Sequence, residues 1–381
     1  MQKILIIVFI ILTSPYSFSQ SRNVVIVIID GARYTETFGD ATHTYIPKMA
    51  AMAEEGALIS EFYNDGFTYT SKAVPALWCG TWSGVQNIYY NGSNTQYTID
   101  PSIFEYFRKQ KNKPATQSIY ELTSVSSLWL QSFHSDYGSD YWPYTVSQGS
   151  TDEEVVIQAK IDMSVYRPQL LWVYLPNVDH EGHSGIWDNY IGAIKTADSL
   201  VYDLWTSIQG DSFYKDNTTL LVTNDHGRHT TDFSGHGCDC EGCRHIMFLA
   251  IGPDVKKNFV SNTQRVLPDF AVTASFLLDV NPEFATGSVA YEIFVPGTGI
   301  NKLSPKNIII TDKYCYFNLL KEQHISINLY DIQGKNIKQI FSGKLFPASH
   351  QLSYELNNLH GFFLMQIIGE EINYTQKLIL P

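Results

Sequence analysis

Thr219-Leu220-Leu221-Val222-Thr223-Asn224-Asp225-His226-Gly227 is the stretch on which the fold turns: one short apolar run that breaks at once into Asp-His-Gly. The run reads as a strand buried on both faces, the pattern of a parallel sheet. Its end presents a carboxylate and an imidazole beside a glycine that leaves room for close approach. The same grammar recurs twice. Leu170-Leu171-Trp172-Val173-Tyr174-Leu175 precedes Asp179-His180-Glu181-Gly182-His183, and Val24-Val25-Ile26-Val27-Ile28-Ile29 runs into Asp30-Gly31. A further block, Gly235-His236-Gly237, follows the second strand, and six of the eleven histidines fall between His180 and His245. A lone Asp-x-x-x-His is usually a solvated turn, but three such blocks at strand ends point to a divalent metal centre in the crevice of an open α/β sheet.

With these blocks in order, the chain resembles the alkaline phosphatase superfamily over roughly residues 22–300. That superfamily places an Asp after its first strand, a nucleophile ten residues before a glycine, then Asp-x-x-x-His, Asp-His-Gly and a last His. Here these are Asp30, Thr70 with Gly80, Asp179 with His183, Asp225 with His226, and His236. The resemblance implies that Asp30, Thr70, Asp225 and His226 surround one metal, while Asp179, His183 and His236 hold a second. Phosphodiesterases and sulfatases of the superfamily carry proline two residues after the nucleophile, whereas this chain has Lys72 there, in Thr70-Ser71-Lys72-Ala73-Val74-Pro75. The spacing to Gly80 selects Thr70, with Thr68 and Ser71 as the alternatives.

A threonine hydroxyl attacks phosphorus only when its alkoxide is stabilised, which a bound metal can do. Two cations roughly 4 Å apart suit in-line displacement through a phosphothreonine. An imidazole-rich donor set favours two zinc ions, with manganese or iron as the other metals such sites accept. Counting twenty-one residues from Thr70 reaches Asn91, where related phosphodiesterases place an amide against a phosphate oxygen. The alternative for Asn91-Gly92 is an ordinary turn. Between Lys113 and Lys160 there is no Lys or Arg to clamp a dianionic phosphate, which favours diesters, although Arg33 or Arg228 could supply such a clamp. Trp129, Tyr141, Trp142 and Tyr144 are candidate pocket aromatics or core residues.

The 381 residues carry a net charge of -12, which argues against bulk nucleic-acid binding; the expected partner is a small phosphate ester. Lys3 followed by the apolar run Ile4–Leu12 and Ser17-Phe18-Ser19 reads as an export signal over residues 1–19, and no stretch is long enough for a transmembrane anchor. A catalytic domain is expected over 20–300. Over 301–381, alternating runs at Ile325–Tyr330, Gln351–Leu356 and Gly361–Ile368 predict a small antiparallel β-sandwich. It resembles the C-terminal sorting domain of type IX secretion cargo in Tyr330-Asp331-Ile332-Gln333-Gly334-Lys335 and Gln376-Lys377-Leu378-Ile379-Leu380. That resemblance implies the type IX machinery as partner, and location outside, or on the outer surface of, a Gram-negative cell.

Helices are predicted from Pro47 to Glu55, from Pro101 to Lys111, from the capping box Thr151–Glu154 to Val165, and along the stripe Tyr190, Ile194, Ala197, Val201, Leu204. Cys238-Asp239-Cys240-Glu241-Gly242-Cys243 offers three thiols without a clear fourth metal ligand, so disulfides are the default for an exported chain, with a Cys79 bridge to this cluster as one option and Cys315 unpaired. Two other functions remain open from sequence: a phosphomonoesterase of the same superfamily, and a catalytically silent surface binding protein with structural metals.

Overall fold

The computed structural model describes residues 22–126, 129–295, 308–310, 314–319, 322–346, 348–356, 359–370 and 372–380. The expected export signal at 1–19 and the expected domain boundary at 300 lie outside these residues. In chain order the strands are β1 (Asn23–Ile29), β2 (Ala57–Tyr63), β3 (Val85–Tyr90), β4 (Ser93–Thr98), β5 (Ser118–Leu122), β6 (Trp129–Leu130), β7 (Tyr144–Ser147), β8 (Leu170–Leu175), β9 (Thr218–Thr223), β10 (His245–Ile251), β11 (Phe259–Ser261) and β12 (Arg265–Val266). The helices are α1 (Pro47–Glu54), α2 (Thr70–Cys79), α3 (Ile103–Lys111), α4 (Asp152–Tyr166), α5 (Asn177–His183), α6 (Trp187–Gly210), α7 (Glu241–Arg244) and α8 (Asp269–Leu277).

Nine strands form one sheet in the order β11-β2-β10-β9-β1-β8-β5-β7, with β12 also on β2, and every pairing is parallel except those of β10 with β9 and β2. The three expected metal-bearing strands are neighbours: β1 lies between β8 and β9, with Ile29 level with Leu175 and Ile28 with Thr223. β1 is buried along its whole length because its alternate side chains enter two different cores. Val24, Ile26 and Ile28 pack with Trp78 of α2, Phe104 of α3 and Phe270 of α8, whereas Val25, Val27 and Ile29 pack with Met52 of α1, Val155 of α4 and Ile194 of α6. This is the α/β fold expected from the apolar runs, with helices on both faces of a mostly parallel sheet.

The expected helices form with small shifts at their ends. Ser102, not Pro101, caps α3 through a complete capping box with Glu105, because the serine hydroxyl can accept from an amide that proline would leave unpaired. At α4 only half of the box closes: Thr151 accepts from Glu154 N, while the Glu154 carboxylate turns to Ser150 N at 2.7 Å. The stripe of α6 is buried as read.

The tail consists of β13 (Ile309–Ile310), β14 (Tyr314–Leu319), β15 (Gln323–Asp331), β16 (Asn336–Leu345), β17 (Ala348–Ser353), β18 (Gly361–Ile368) and β19 (Asn373–Leu380). They pair antiparallel in sheets β13-β14-β17 and β16-β15-β18-β19 around a core of their own that includes Phe317, Ile327 and Met365. The Asp331–Lys335 turn closes a hairpin, with Asp331 Oδ1 accepting from Gln333 N and Lys335 N at 2.9 Å each.

Candidate active site

Every expected donor except Thr70, which follows β2, comes after a strand of the central triplet, so their convergence is a consequence of strand order. Asp30 leaves β1 with its amide still donating to Leu175 O at 3.0 Å. Beyond β9, buried Asn224 staples the turn by donating from Nδ2 to Ala32 O and His226 O and accepting from Met247 N, and Asn64 donates to Asp225 O at 2.7 Å. Asp179 and His183 occupy one face of α5 four residues apart. The φ of +69° at Gly31 selects glycine, and a Cβ there would stand 2.6 Å from Asp179 Oδ1.

His226 Nδ1 lies 2.9 Å from Gly227 O, and a carbonyl can only accept, so the ring proton sits on Nδ1. The Nε2 lone pair then faces Asp30 Oδ1 and Asp225 Oδ2, each at 3.4 Å. Both oxygens are buried without a hydrogen-bond partner. Electron pairs gathered in this way repel one another unless a cation lies among them. Zinc with arms of about 2.0–2.2 Å holds neighbouring donors roughly 3.3 Å apart, so the residues fit a metal. Burial, followed by the charges of Asp225 and Asp179, raises the Asp30 carboxyl well above its usual range, and burial pushes Asp225 up to about 7. A divalent ion among these oxygens would offset both shifts by stabilising the charged carboxylates. Tyr174 donates a short hydrogen bond to Asp30 Oδ2.

A second set adjoins the first. His236 donates from Nδ1 to Thr68 O at 3.1 Å, leaving Nε2 3.0 Å from His183 Nε2 and 3.6 Å from Asp179 Oδ1. His183 Nε2 is also 3.2 Å from Asp179 Oδ2. Burial, then the neighbouring His226, holds His236 down at about 4, so at neutral pH it offers a lone pair rather than a charge. The His226 and His236 rings stack with centroids 4.1 Å apart, which makes His226 the border between the two donor sets.

Thr70 is the first residue of α2, and its Oγ1 is 3.1 Å from His226 Nε2. Thr68 instead donates to Cys238 O at 2.9 Å, and Ser71 lines a cleft with Asn87, Ile88, Tyr89, Asn94, Thr95, Gln96 and Trp129. Asn91 is not among those lining residues. Its φ of +49° and that of Gly92 at +87° make the two-residue turn joining β3 to β4, a conformation that Asn-Gly adopts at least cost. Asn91 thus stands in a hairpin turn, and the amides that line the cleft with Ser71 are those of Asn87, Asn94 and Gln96. Of the four candidate pocket aromatics, Trp129 lines the cleft; Trp142 packs on Phe133 and Tyr90, and Tyr144 on Tyr166.

Neither candidate arginine is free to clamp a phosphate. Arg228 is fully buried, donating to Asp179 Oδ1 at 2.5 Å, to Asp179 O and Ser234 O, and closely to Phe233 O. Arg33 is paired with Glu36 and donates to His229 O and Thr230 O. The Cys79 bridge is also corrected: all five cysteines are free, and Cys79, at the buried end of α2, points its thiol at Asp100 O. The fourth partner that the Cys238–Cys243 cluster lacked in sequence is His229, brought over the three sulfurs by a loop that folds back on itself.

A mostly parallel α/β sheet with two sets of potential metal donors and a hydroxyl at its carboxyl edge suits phosphoric ester hydrolysis. The chain belongs to the type I phosphodiesterase / nucleotide pyrophosphatase family, whose model matches residues 24–240. Among solved structures, murine ectonucleotide pyrophosphatase / phosphodiesterase 5, in an inactive form in complex with AMP, aligns with a TM-score of 0.55 at 13% identity, covering 72% of this chain and 100% of that one. A mutant of alkaline phosphatase PafA aligns at 0.52 and 10% identity over 72% and 99%. The phosphonate monoester hydrolase of Agrobacterium radiobacter aligns at 0.52 and 11% over 88% and 89%. At these identities the structural likeness speaks for the fold alone. No curated protein is significantly similar in sequence.

Proposed function

We propose that this chain is a two-metal phosphodiesterase that works through a covalent intermediate on Thr70. In that reading Thr70 Oγ1 loses its proton and attacks phosphorus, the bond to the leaving oxygen breaks, and an alcohol departs with the electron pair. Water then attacks the threonyl phosphodiester, the bond from phosphorus to Oγ1 breaks, and a phosphate monoester is released. Asp30, Asp225 and His226 would hold one zinc, and Asp179, His183 and His236 the other; when bound, the pair supplies Lewis-acid stabilisation of the alkoxide and of the phosphoryl oxygens. Thr70 opens α2, so the free amides and positive end of that helix favour negative charge beside it.

The observation that carries the preference for diesters is the commitment of Arg228 and Arg33 to other partners. A monoester brings a second negative charge, which superfamily phosphatases offset with cationic side chains. With zinc-loaded protein, bis-p-nitrophenyl phosphate should show the higher kcat/KM against p-nitrophenyl phosphate. A clear monoester preference that collapses in Lys72→Ala would make the enzyme a phosphatase with Lys72 as its clamp.

A further inference from the structure

From the geometry we infer a third metal site, separate from the catalytic pair: a structural zinc held by His229, Cys238, Cys240 and Cys243. His229 Nδ1 stands 2.9, 4.0 and 3.4 Å from the sulfurs of Cys238, Cys240 and Cys243, and Cys238 Sγ is 2.7 and 3.5 Å from the other two sulfurs. Arms of about 2.3 Å to sulfur and 2.0–2.1 Å to nitrogen put donors on a tetrahedral zinc roughly 3.5–3.8 Å apart, a separation that the 2.7–4.0 Å range around this centre brackets. Thiols are weak donors and gain little from such crowding, whereas an ion at the middle gives all four lone pairs a partner.

The local backbone is shaped for the same purpose. Cys240 N donates to Cys238 Sγ at 3.3 Å, an amide contact that suits a thiolate. Cys240 caps α7 and Cys243 lies on its first turn, so two sulfurs share one face. His229 reaches them from the far end of the loop, its amide donating to Gly235 O at 2.8 Å and its carbonyl held by Arg33. Three thiolates and an imidazole with no open position are a closed, soft donor set, which selects zinc over magnesium or calcium and marks a structural role.

What the ion would hold is the loop carrying His236, two residues before Cys238. Thr68 joins the two regions: its hydroxyl donates to Cys238 O and its carbonyl accepts from His236 Nδ1. Arg228, which orients Asp179, is the neighbour of His229 in sequence. The site would therefore brace one wall of the catalytic centre without touching substrate.

Cobalt(II) separates this site from the catalytic pair, because only thiolate ligands give intense sulfur-to-cobalt charge-transfer absorption in the near ultraviolet, and no proposed catalytic donor is a sulfur. Full-length protein reconstituted with cobalt should show that band. The band should survive His183→Ala, weaken in Cys240→Ser, and persist in His229→Cys, which restores a fourth ligand. In unreduced protein denatured with chelator, all five cysteines should titrate as thiols. Three titratable thiols and no charge-transfer band in the wild type would mean a disulfide within the cluster and would overturn the proposal. That result would leave the reading of Thr70 and the catalytic metals untouched.

Discussion

The guanidinium of Arg228 illustrates how a buried cation can serve a site without entering it. It donates to Asp179 and to carbonyls of the 228–234 loop, and it lies over the Tyr190 ring. Gly182, in the middle of Asp179-His180-Glu181-Gly182-His183, is what admits it: a Cβ there would stand 2.3 Å from Arg228 Cζ. Gly182→Ala must displace either α5 or the arginine, at a cost of about 1–3 kcal/mol. Asp179 then loses the partner that orients it. With zinc limiting, kcat/KM should fall about 10- to 100-fold and recover with excess zinc, as expected when support of a ligand is lost. Unchanged zinc dependence would mean that Arg228 does not position Asp179. The convergence of these blocks was legible in sequence because a short β-to-α turn leaves few places for a side chain to go. For Asn91 the sequence offered both a turn and a phosphate-facing amide, and the structure shows the turn between β3 and β4. His229 is not legible from the cysteine spacing, because the loop brings it back to the sulfurs from nine residues before Cys238.

At the scale of elements, β5 and α4 meet across Glu121 and Asp162, a pair that takes no part in the proposed chemistry. Burial, then the hydrogen bond and charge of Asp162, push the Glu121 carboxyl up to about 9. The folded state therefore keeps a proton that the unfolded chain, with an ordinary value of 4.5, releases. The resulting stability is fully present below about 4.5 and is lost as pH rises toward 9. Glu121→Gln should flatten this dependence, leaving Tm near the wild-type value at pH 5 and raising it at pH 8 to 9. Equal Tm changes at both ends would show that Glu121 does not titrate across this range. The strands themselves were readable from apolar runs, and the helices from capping residues and stripes. Strand order was not, because the sequence does not say that β10 enters antiparallel between β9 and β2.

Across the whole molecule, the tail has its own core and carries none of the proposed catalytic donors. We propose that it is a sorting module for type IX secretion and that residues 1–19 are an export signal, giving a protein released from, or held on, the surface of a Gram-negative cell. No helix among the described residues is long and apolar enough to cross a membrane. The mass of the native surface protein should lack both segments, and a mass that still includes the tail would contradict the sorting role. The proposed catalysis, in contrast, is confined to the carboxyl edge of one sheet, where Thr70 meets His226, a member of both donor groups. The most direct measurement is acid quenching of the zinc-loaded enzyme during turnover of bis-p-nitrophenyl phosphate, followed by peptide mass spectrometry. The account predicts a p-nitrophenyl phosphoryl group on Thr70, absent from Thr70→Ala, which should be inactive; an adduct on Ser71, or an active Thr70→Ala, would contradict it.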